Sequence, residues 1–171
     1  EIQVLTPTRK GPAGTVNLNR RLQEALNPQA AEKRELQWGE RLFREGDRVM
    51  QTRNDYDVIW EKEDGTVGTG MFNGDVGRIV KIDDSSEWLE LDFDGRRAVY
   101  GTEQLNELDL AFAMTVHKSQ GSEYRCVVLS AMPAPASLMV RGVLYTALTR
   151  ARELLVVVGD DAAIRAMAAN D

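Results

Sequence analysis

Residues 113–124 read AMTVHKSQGSEY, and they pack hydroxyls, an imidazole, an ammonium, an amide and a carboxylate into one short segment. The segment leaves a predicted strand, and Gly121 predicts a turn that exposes backbone N–H groups. This set of groups suits a contact with phosphates on one side and with a nucleotide on the other. A polar loop between a strand and a helix has a similar composition, so the segment alone leaves both interpretations open.

A second segment, LYTALTRAR at residues 144–152, has the apolar spacing of a helix, which we predict over residues 138–152. Arg150 and Arg152 lie near the C-terminal end of that helix, where the helix dipole favours cations. Taken alone, the segment is explained by this structural role of the two arginines.

Apolar strands and helices surround both segments. Strands are predicted at residues 2–5, 110–113, 126–129 and 154–158. A helix is predicted from Thr15 to Asn27, before Pro28, and leucines recur at every fourth residue to form an apolar stripe. The stripe consists of Leu18, Leu22 and Leu26. Apolar strands that alternate with helices are typical of a parallel sheet.

The middle of the chain has a different pattern, with short strands and glycine turns that are typical of a small β-barrel. Apolar and acidic residues alternate over 89–93, and Asp94-Gly95 predicts a two-residue hairpin turn. Residues 29–40 are predicted to be a linker and residues 55–70 a long exposed loop. We therefore predict an α/β domain interrupted by an all-β insert. The α/β domain comprises residues 1–36 and 107–171, and the barrel residues 37–106.

Composition narrows the class of protein. The chain has 171 residues, 43% of them hydrophobic and 28% charged, as in a soluble globular protein. One cysteine and one histidine exclude a disulfide framework and a zinc cluster built from His and Cys within the chain. No apolar run is long enough to cross a membrane, so we expect a soluble, cytoplasmic protein.

The net charge of −6 argues against a free-standing nucleic-acid binder, because such proteins usually carry a basic surplus. The acidity belongs to residues 37–106, where nine Lys/Arg stand against sixteen Asp/Glu. The flanking residues 1–36 and 107–171 carry +2 and −1. If the protein binds DNA, the flanks are therefore better suited than the middle to hold the phosphate backbone.

A phosphate-binding loop of the type Gly-x-x-x-x-Gly-Lys-Ser/Thr is absent, and residues 10–15 have no lysine in the required position. No apolar strand ends in paired acids that would hold magnesium. We therefore expect this chain not to bind and hydrolyse ATP well by itself.

Together, the two segments resemble motifs V and VI of superfamily 1 helicases, and the chain is most similar to the RecD-like helicases of bacteria. Residues 3–14 resemble the motif IV region, and residues 46–57 and 72–77 resemble the barrel that those helicases insert before motif V. The likeness covers nearly the whole chain in the expected order.

The resemblance implies a second RecA-like motor domain with an inserted SH3-like barrel. The parent protein would be an ATP-dependent 5′–3′ DNA helicase of recombination and repair, working on single-stranded DNA. ATP and Mg²⁺ would lie between this domain and a first RecA-like domain, which would supply the phosphate loop and the magnesium carboxylates. Other subunits of a repair complex are further possible partners.

The resemblance also assigns residue roles. Arg150 matches the motif VI arginine finger, which would reach the γ-phosphate across the cleft. Gly121 and Glu123 match positions near the nucleotide, and Gln120 would couple them to the DNA side. The positions that match the DNA-facing part of motif V are Thr115, His117, Lys118 and Ser119.

Three further residues have weaker assignments. Arg9 or Lys10 would be a second phosphate contact, although a surface cation explains either residue equally well. Asn73 would touch DNA, but a left-handed turn at Asn73-Gly74 explains the asparagine without a function. No residue is matched to a metal ion.

Two alternatives remain open from the sequence. The barrel would serve as a protein-interaction module with the α/β part as its scaffold, or the chain would be the helicase portion of a conjugative relaxase, which shares these motifs. Protein binding without loss of ATP hydrolysis on mutation of Arg150 favours the first alternative. An upstream nicking domain with a tyrosine and a histidine cluster favours the second.

Overall fold

The computed structural model describes residues 1–171, which form thirteen strands and four α-helices. The strands are β1 (Ile2–Thr6), β2 (Glu35–Trp38), β3 (Arg41–Arg44), β4 (Arg48–Gln51), β5 (Asp55–Glu61), β6 (Val67–Met71), β7 (Val76–Asp83), β8 (Trp88–Phe93), β9 (Arg96–Tyr100), β10 (Leu108–Leu110), β11 (Ala113–Thr115), β12 (Tyr124–Ala131) and β13 (Ala151–Gly159). The helices are α1 (Thr15–Leu26), α2 (Thr102–Leu105), α3 (Arg141–Leu148) and α4 (Asp161–Ala169). None of these helices has the length and apolar character needed to cross a membrane.

The chain folds into two compact units. The α/β unit comprises Glu1–Leu22 and Phe112–Asp171, and the β unit comprises Gln23–Ala111. The β unit is larger than the segment 37–106 marked by the sequence pattern, because the last turn of α1 and strand β10 make their contacts within it.

The α/β unit is built on a parallel sheet, as its alternating strands and helices predict. The strand order is β11-β1-β12-β13, and each neighbouring pair is parallel. Leu5, Val127 and Leu129 on the central strands are fully buried. Helices α3 and α4 pack against each other, and each contributes a buried residue, Ala147 and Met167. This sheet positions both ends of the segment 113–124, because the segment begins as β11 and ends at the start of β12.

One edge of this sheet is closed by a side chain of α1. The Asn19 amide donates to the carbonyl oxygen of Ala113 at 2.9 Å, and its oxygen accepts from the N–H of Ala113 at 2.8 Å. Asn19 is 7% exposed. The backbone groups on the outer side of an edge strand have no strand to pair with. These two hydrogen bonds satisfy the N–H and the C=O of Ala113, the first residue of β11.

The predicted apolar stripe on α1 is wrong at its C-terminal end. Leu26 is 67% exposed, and Leu18 and Leu22 are only half-buried. The buried face is instead polar and also recurs at every fourth residue. It consists of Thr15, Asn19, Gln23 and Asn27. Amide side chains can be buried here because each is hydrogen-bonded.

The β unit contains a seven-stranded antiparallel sheet in the order β10-β4-β7-β8-β9-β5-β6, together with the β2-β3 hairpin. Strand β8 alternates buried and half-buried residues, as predicted. The turn after it has positive φ at both Asp94 (53°) and Gly95 (83°), which confirms the predicted two-residue hairpin turn. Fully buried Phe43, Phe93 and Tyr100 belong to one core between the strands.

Four details of the sequence prediction are wrong. Residues 29–40 are not all linker, because β2 pairs with β3, and residues 55–70 are not a loop, because β5 and β6 form a hairpin. The predicted strand at 110–113 is two strands, β10 in the β unit and β11 in the α/β unit. The predicted helix at 138–152 is shorter, since α3 ends at Leu148 and β13 begins at Ala151.

A buried carboxylate organises the start of the β unit. Asp47 is fully buried and accepts from the side chains of Gln23 (2.6 Å) and Asn27 (2.8 Å) and from the N–H of Arg44 (2.7 Å). The guanidinium of Arg44 is also buried and binds Glu35 at 2.6 Å. These bonds fix the last turn of α1 within the β unit.

Candidate nucleotide and DNA site

The motif V segment, residues 113–124, forms strand β11, a 3₁₀ turn at His117–Ser119 and the start of β12. The turn is closed by its own hydroxyls: Thr115 Oγ1 accepts from the N–H of Lys118 at 3.3 Å, and Ser119 Oγ donates to Val116 O at 2.7 Å. Gly121 follows with φ of 83°, a conformation that favours glycine. The polar residues of the segment are thus carried on a tight, internally bonded turn.

The residues predicted to contact DNA differ in their exposure. His117 is exposed, and Thr115 and Lys118 are half-buried, so all three reach the surface. Ser119 is fully buried, and its hydroxyl is used inside the turn. The structure therefore gives Ser119 a role in holding the turn, and the proposed DNA contacts retain Thr115, His117 and Lys118.

Arg150 lies between the end of α3 and the start of β13, and its side chain reaches the motif V segment. Its Nη1 donates to the main-chain oxygen of Ser122 at 2.9 Å, and its main-chain oxygen accepts from the N–H of Tyr124 at 2.8 Å. The structure therefore joins the two segments singled out in the sequence through direct hydrogen bonds.

Two other bonds hold the same guanidinium. Nε donates to Thr146 O at 3.2 Å, and Nη2 donates to Thr149 Oγ1 at 3.2 Å. Arginine has five N–H groups, so these three bonds leave one on each terminal nitrogen. A pair of N–H groups on the two terminal nitrogens can bind phosphate oxygens.

The sequence did not reveal the roles of Ser122 and Thr149. Ser122 accepts from Arg150 through its main-chain oxygen, and every residue type has such an oxygen, so the sequence does not indicate this contact. The Thr149 hydroxyl also donates to the last carbonyls of α3, at 3.1 Å to Tyr145 O and 3.0 Å to Thr146 O. A threonine at a helix end is common for that reason alone, so its second contact, with Arg150, was not evident.

Glu123 and Arg152 lie close to the held arginine in sequence and approach each other at 3.8 Å, with both side chains more than half exposed. An exposed pair at this distance contributes little to stability. Both groups are therefore available to other partners at the surface beside Arg150.

The loop that joins β1 to α1 carries Arg9 and Lys10, and both are exposed. Its shape is fixed by main-chain bonds from Thr15 N to Thr8 O and from Val16 N to Arg9 O, at 3.1 and 3.2 Å. A Cβ atom at Gly14 would lie 2.4 Å from the oxygen of Arg9, so this position requires glycine. The glycine keeps the loop compact at the end of β1, which is a central strand of the sheet.

Asn73 lies in the β unit, on the turn between β6 and β7. Its N–H donates to Asn54 Oδ1 at 2.9 Å, and the left-handed residue of the turn is Gly74, with φ of 99°. Its proposed contact with DNA is untested by this geometry. The chain contains no group of three or more His, Cys, Asp or Glu side chains that could hold a metal ion.

Comparison with known families assigns both units. The family described as UvrD-like helicase C-terminal domain matches residues 110–158, which carry the motif V segment and Arg150. The family described as ATP-dependent RecD-like DNA helicase SH3 domain matches residues 18–93. The α/β unit is therefore RecA-like and the β unit SH3-like.

Individual relatives support the same family assignment. The chain is 38% identical over 168 residues to the ATP-dependent RecD2 DNA helicase of Deinococcus radiodurans, which covers 98% of this chain and 21% of that protein. It is 33% identical over 166 residues to the RecBCD enzyme subunit RecD of Mycolicibacterium smegmatis, covering 97% and 26% respectively. The chain thus spans about a fifth to a quarter of the length of these relatives.

A solved structure shows the same fold. The Pif1 helicase from Bacteroides in complex with ADP-AlF3 and ssDNA superimposes with a TM-score of 0.60 at 20% sequence identity, over 98% of this chain and 42% of that protein. The matched families and relatives support the class of superfamily 1 helicases for this fold and its paired segments. Within that class, this chain resembles the C-terminal portion of the RecD-like helicases.

Proposed function

We propose that this chain is the second motor domain of an ATP-dependent 5′–3′ DNA helicase that acts in recombination and repair. The observation that carries the proposal is the hydrogen bond from Arg150 Nη1 to Ser122 O, at 2.9 Å. It joins the proposed arginine finger to the segment proposed to hold DNA. A motor needs such a connection, because nucleotide hydrolysis must change the grip on the strand.

In this proposal, ATP and Mg²⁺ bind in a cleft completed by a first RecA-like domain, which supplies the phosphate loop and the magnesium ligands. The metal would offset the negative charge of the phosphates. Arg150 presents its two remaining N–H groups to the γ-phosphate, where negative charge grows in the transition state. Gly121, Glu123 and Gln120 lie on the connecting turn, and either Arg9 or Lys10 is the second candidate cation.

On the DNA side, Thr115, His117 and Lys118 would hold the backbone of single-stranded DNA, with Asn73 as a further contact from the barrel. Phosphate contacts fix position without reading sequence, as a translocating enzyme requires. The net charge of −6 is compatible with this role, because alternating grip does not need high affinity from one domain.

The test is ATP hydrolysis stimulated by single-stranded DNA, in a protein that contains this chain and a first RecA-like domain. Arg150→Ala should reduce turnover on the order of 10³-fold, since it removes charge stabilisation in the transition state. Arg125→Ala is the matched control, because Arg125 is exposed and paired with Glu153. Unchanged turnover in Arg150→Ala would remove the arginine-finger assignment.

Other repair-complex subunits are a further part of the proposal. The M. smegmatis relative is named as a subunit of the RecBCD enzyme, which supports partners of this kind. Size-exclusion chromatography of the protein from its native cells distinguishes a stand-alone helicase from a complex member.

A further inference from the structure

A cavity of about 320 Å³ lies in the α/β unit beside the motif V turn. Val116, His117 and Gln120 line it on the side of the turn, and Val140, Gly142 and Val143 line it at the start of α3. Small-molecule sites in proteins begin at about this size. Thr146 also lines the cavity, and its carbonyl oxygen accepts from Arg150 Nε at 3.2 Å, so the cavity adjoins the contacts of Arg150 described above.

Gly142 lines this cavity without a structural reason to be glycine. It lies in the first turn of α3, its φ is not positive, and a Cβ atom there would meet nothing within 4 Å. Glycine weakens a helix relative to alanine. A residue that lowers helix stability and relieves no steric contact is explained if the space in front of it must stay open.

The chemistry of the lining suits a flat ligand with apolar faces and polar edges. Val116 and Val143 are 1% and 8% exposed and form an apolar base. His117 and Gln120 are exposed at the rim, and neither side chain has a hydrogen bond to another protein group. The amide of Gln120 both donates and accepts, so it can form hydrogen bonds with the edge of any nucleobase.

We propose that this cavity receives one base of the bound single strand. The inference rests on the proposed function, since it extends the DNA face of the same turn that carries Thr115 and Lys118. The apolar base and the imidazole give a stacking environment that tolerates every base. A base held in this way would fix the strand between translocation steps, in addition to the phosphate contacts.

The experiment measures binding of fluorescein-labelled oligothymidylate by anisotropy to a protein that contains this chain and a first RecA-like domain, in parallel with an abasic oligonucleotide of the same length. Gly142→Leu places a side chain in the cavity and should weaken binding of oligothymidylate about tenfold, because it removes one stacked base. Gly142→Ala is the control for helix propensity and should bind like the wild type.

Two further readouts separate a base pocket from a general disturbance. The abasic strand should bind wild type and Gly142→Leu equally. The salt dependence of oligothymidylate binding should keep its slope in Gly142→Leu, whereas Lys118→Ala should reduce the slope by about one.

Equal affinity of wild type and Gly142→Leu for oligothymidylate would overturn the inference and leave the proposed function standing. An equal loss on the abasic strand would also overturn it. Failure of the wild-type two-domain protein to bind either strand would instead contradict the proposed DNA contacts, on which the pocket depends. If the cavity instead receives an aromatic side chain of another protein, Gly142→Leu should block binding of that protein while both oligonucleotides bind normally.

Discussion

At the scale of single residues, the side chain of Arg150 is held by three hydrogen bonds within the protein. A free arginine side chain has about 2 kcal/mol of rotamer entropy, part of which is lost when it binds a ligand. Bonds from Nε, Nη1 and Nη2 to Thr146, Ser122 and Thr149 have already removed much of that freedom. A prearranged guanidinium costs less to use in a transition state than one that must be ordered during the reaction.

Thr149 is expected to position this guanidinium, since its hydroxyl is the acceptor for Nη2. Thr149→Val keeps the shape and removes the acceptor, a change worth about 1 kcal/mol, so DNA-stimulated turnover should fall about fivefold. The KM for ATP should change less than kcat, because the bond matters most in the transition state.

Thr149→Ser restores the hydroxyl and should restore turnover. The resonance of Arg150 Nε in the isolated chain should broaden or exchange faster in Thr149→Val than in either hydroxyl-bearing form. Equal kcat in the valine and serine variants would show that the hydroxyl has no positioning role.

At the scale of elements, helix α1 is held by polar contacts on its buried face. Gln23 and Asn27 donate from its last turn to the two oxygens of Asp47, and Arg44 N donates as well. Both amides have second bonds that fix their orientation, Gln23 to Leu42 O and Asn27 to Glu45 O, at 2.9 and 3.0 Å. Three donors therefore converge on one carboxylate.

Asp47→Asn should destabilise the β unit by about 1–3 kcal/mol at neutral pH. The new amide has one acceptor and two donors, so at least one donor would face another without a partner. Urea unfolding followed by the fluorescence of the barrel tryptophans measures the change. Asp57→Asn, at an exposed position on β5, is the matched control and should be nearly neutral.

The pH dependence of that cost is fixed by the direction of the pKa shift. Burial raises the pKa of Asp47, partly offset by its hydrogen bonds to Asn27, Gln23 and Arg44. A raised folded-state pKa gives stability that is full below the unfolded pKa and is lost as pH rises through the folded value. The difference in unfolding free energy between wild type and Asp47→Asn should therefore be largest in acid and shrink toward neutral pH. A difference that grows with pH would contradict the shift.

The same elements explain how far the sequence could predict the structure. The parallel sheet, the Asp94-Gly95 turn and the two motif segments follow from local patterns and were predicted. The buried polar face of α1 was not predicted, because a row of amide side chains is also typical of a solvent-exposed helix surface. Only the structure shows their buried partners, such as Asp47. The β5-β6 hairpin was taken for a loop because acidic residues around Val58 and Trp60 obscure the alternation of buried positions.

The candidate site was predictable to a similar degree. Arg150 and the exposed part of motif V were assigned through the family resemblance, and the hydrogen bonds of Arg150 to Ser122 and Tyr124 come from the structure. The contact between Arg150 and the Ser122 oxygen was beyond sequence analysis, because a main-chain acceptor leaves no trace in residue type. The burial of Ser119 was equally hidden, since a hydroxyl in a turn can face either way.

At the scale of the whole molecule, β13 is an apolar strand at the edge of the α/β sheet. Leu154, Val156 and Val158 are 52%, 42% and 57% exposed. An exposed apolar edge strand favours association through its backbone and side chains. The isolated chain should therefore self-associate as its concentration rises.

Val158→Lys should lower that association, since a charge on an edge strand opposes pairing. Val16→Lys is the control, because Val16 is 64% exposed but lies on helix α1. Sedimentation velocity over a concentration series measures the effect. Equal sedimentation of wild type and Val158→Lys would show that β13 is not the contact.

The Asn19 amide limits where a further strand can pair with the sheet. At the β11 side, both backbone groups of Ala113 are already occupied by that one side chain. An incoming strand, whether from the same polypeptide or from another molecule, finds no backbone partner at Ala113, so addition beside β13 is favoured. A single asparagine on a helix thus blocks strand addition at the start of β11, whereas β13 offers exposed apolar residues along the opposite edge.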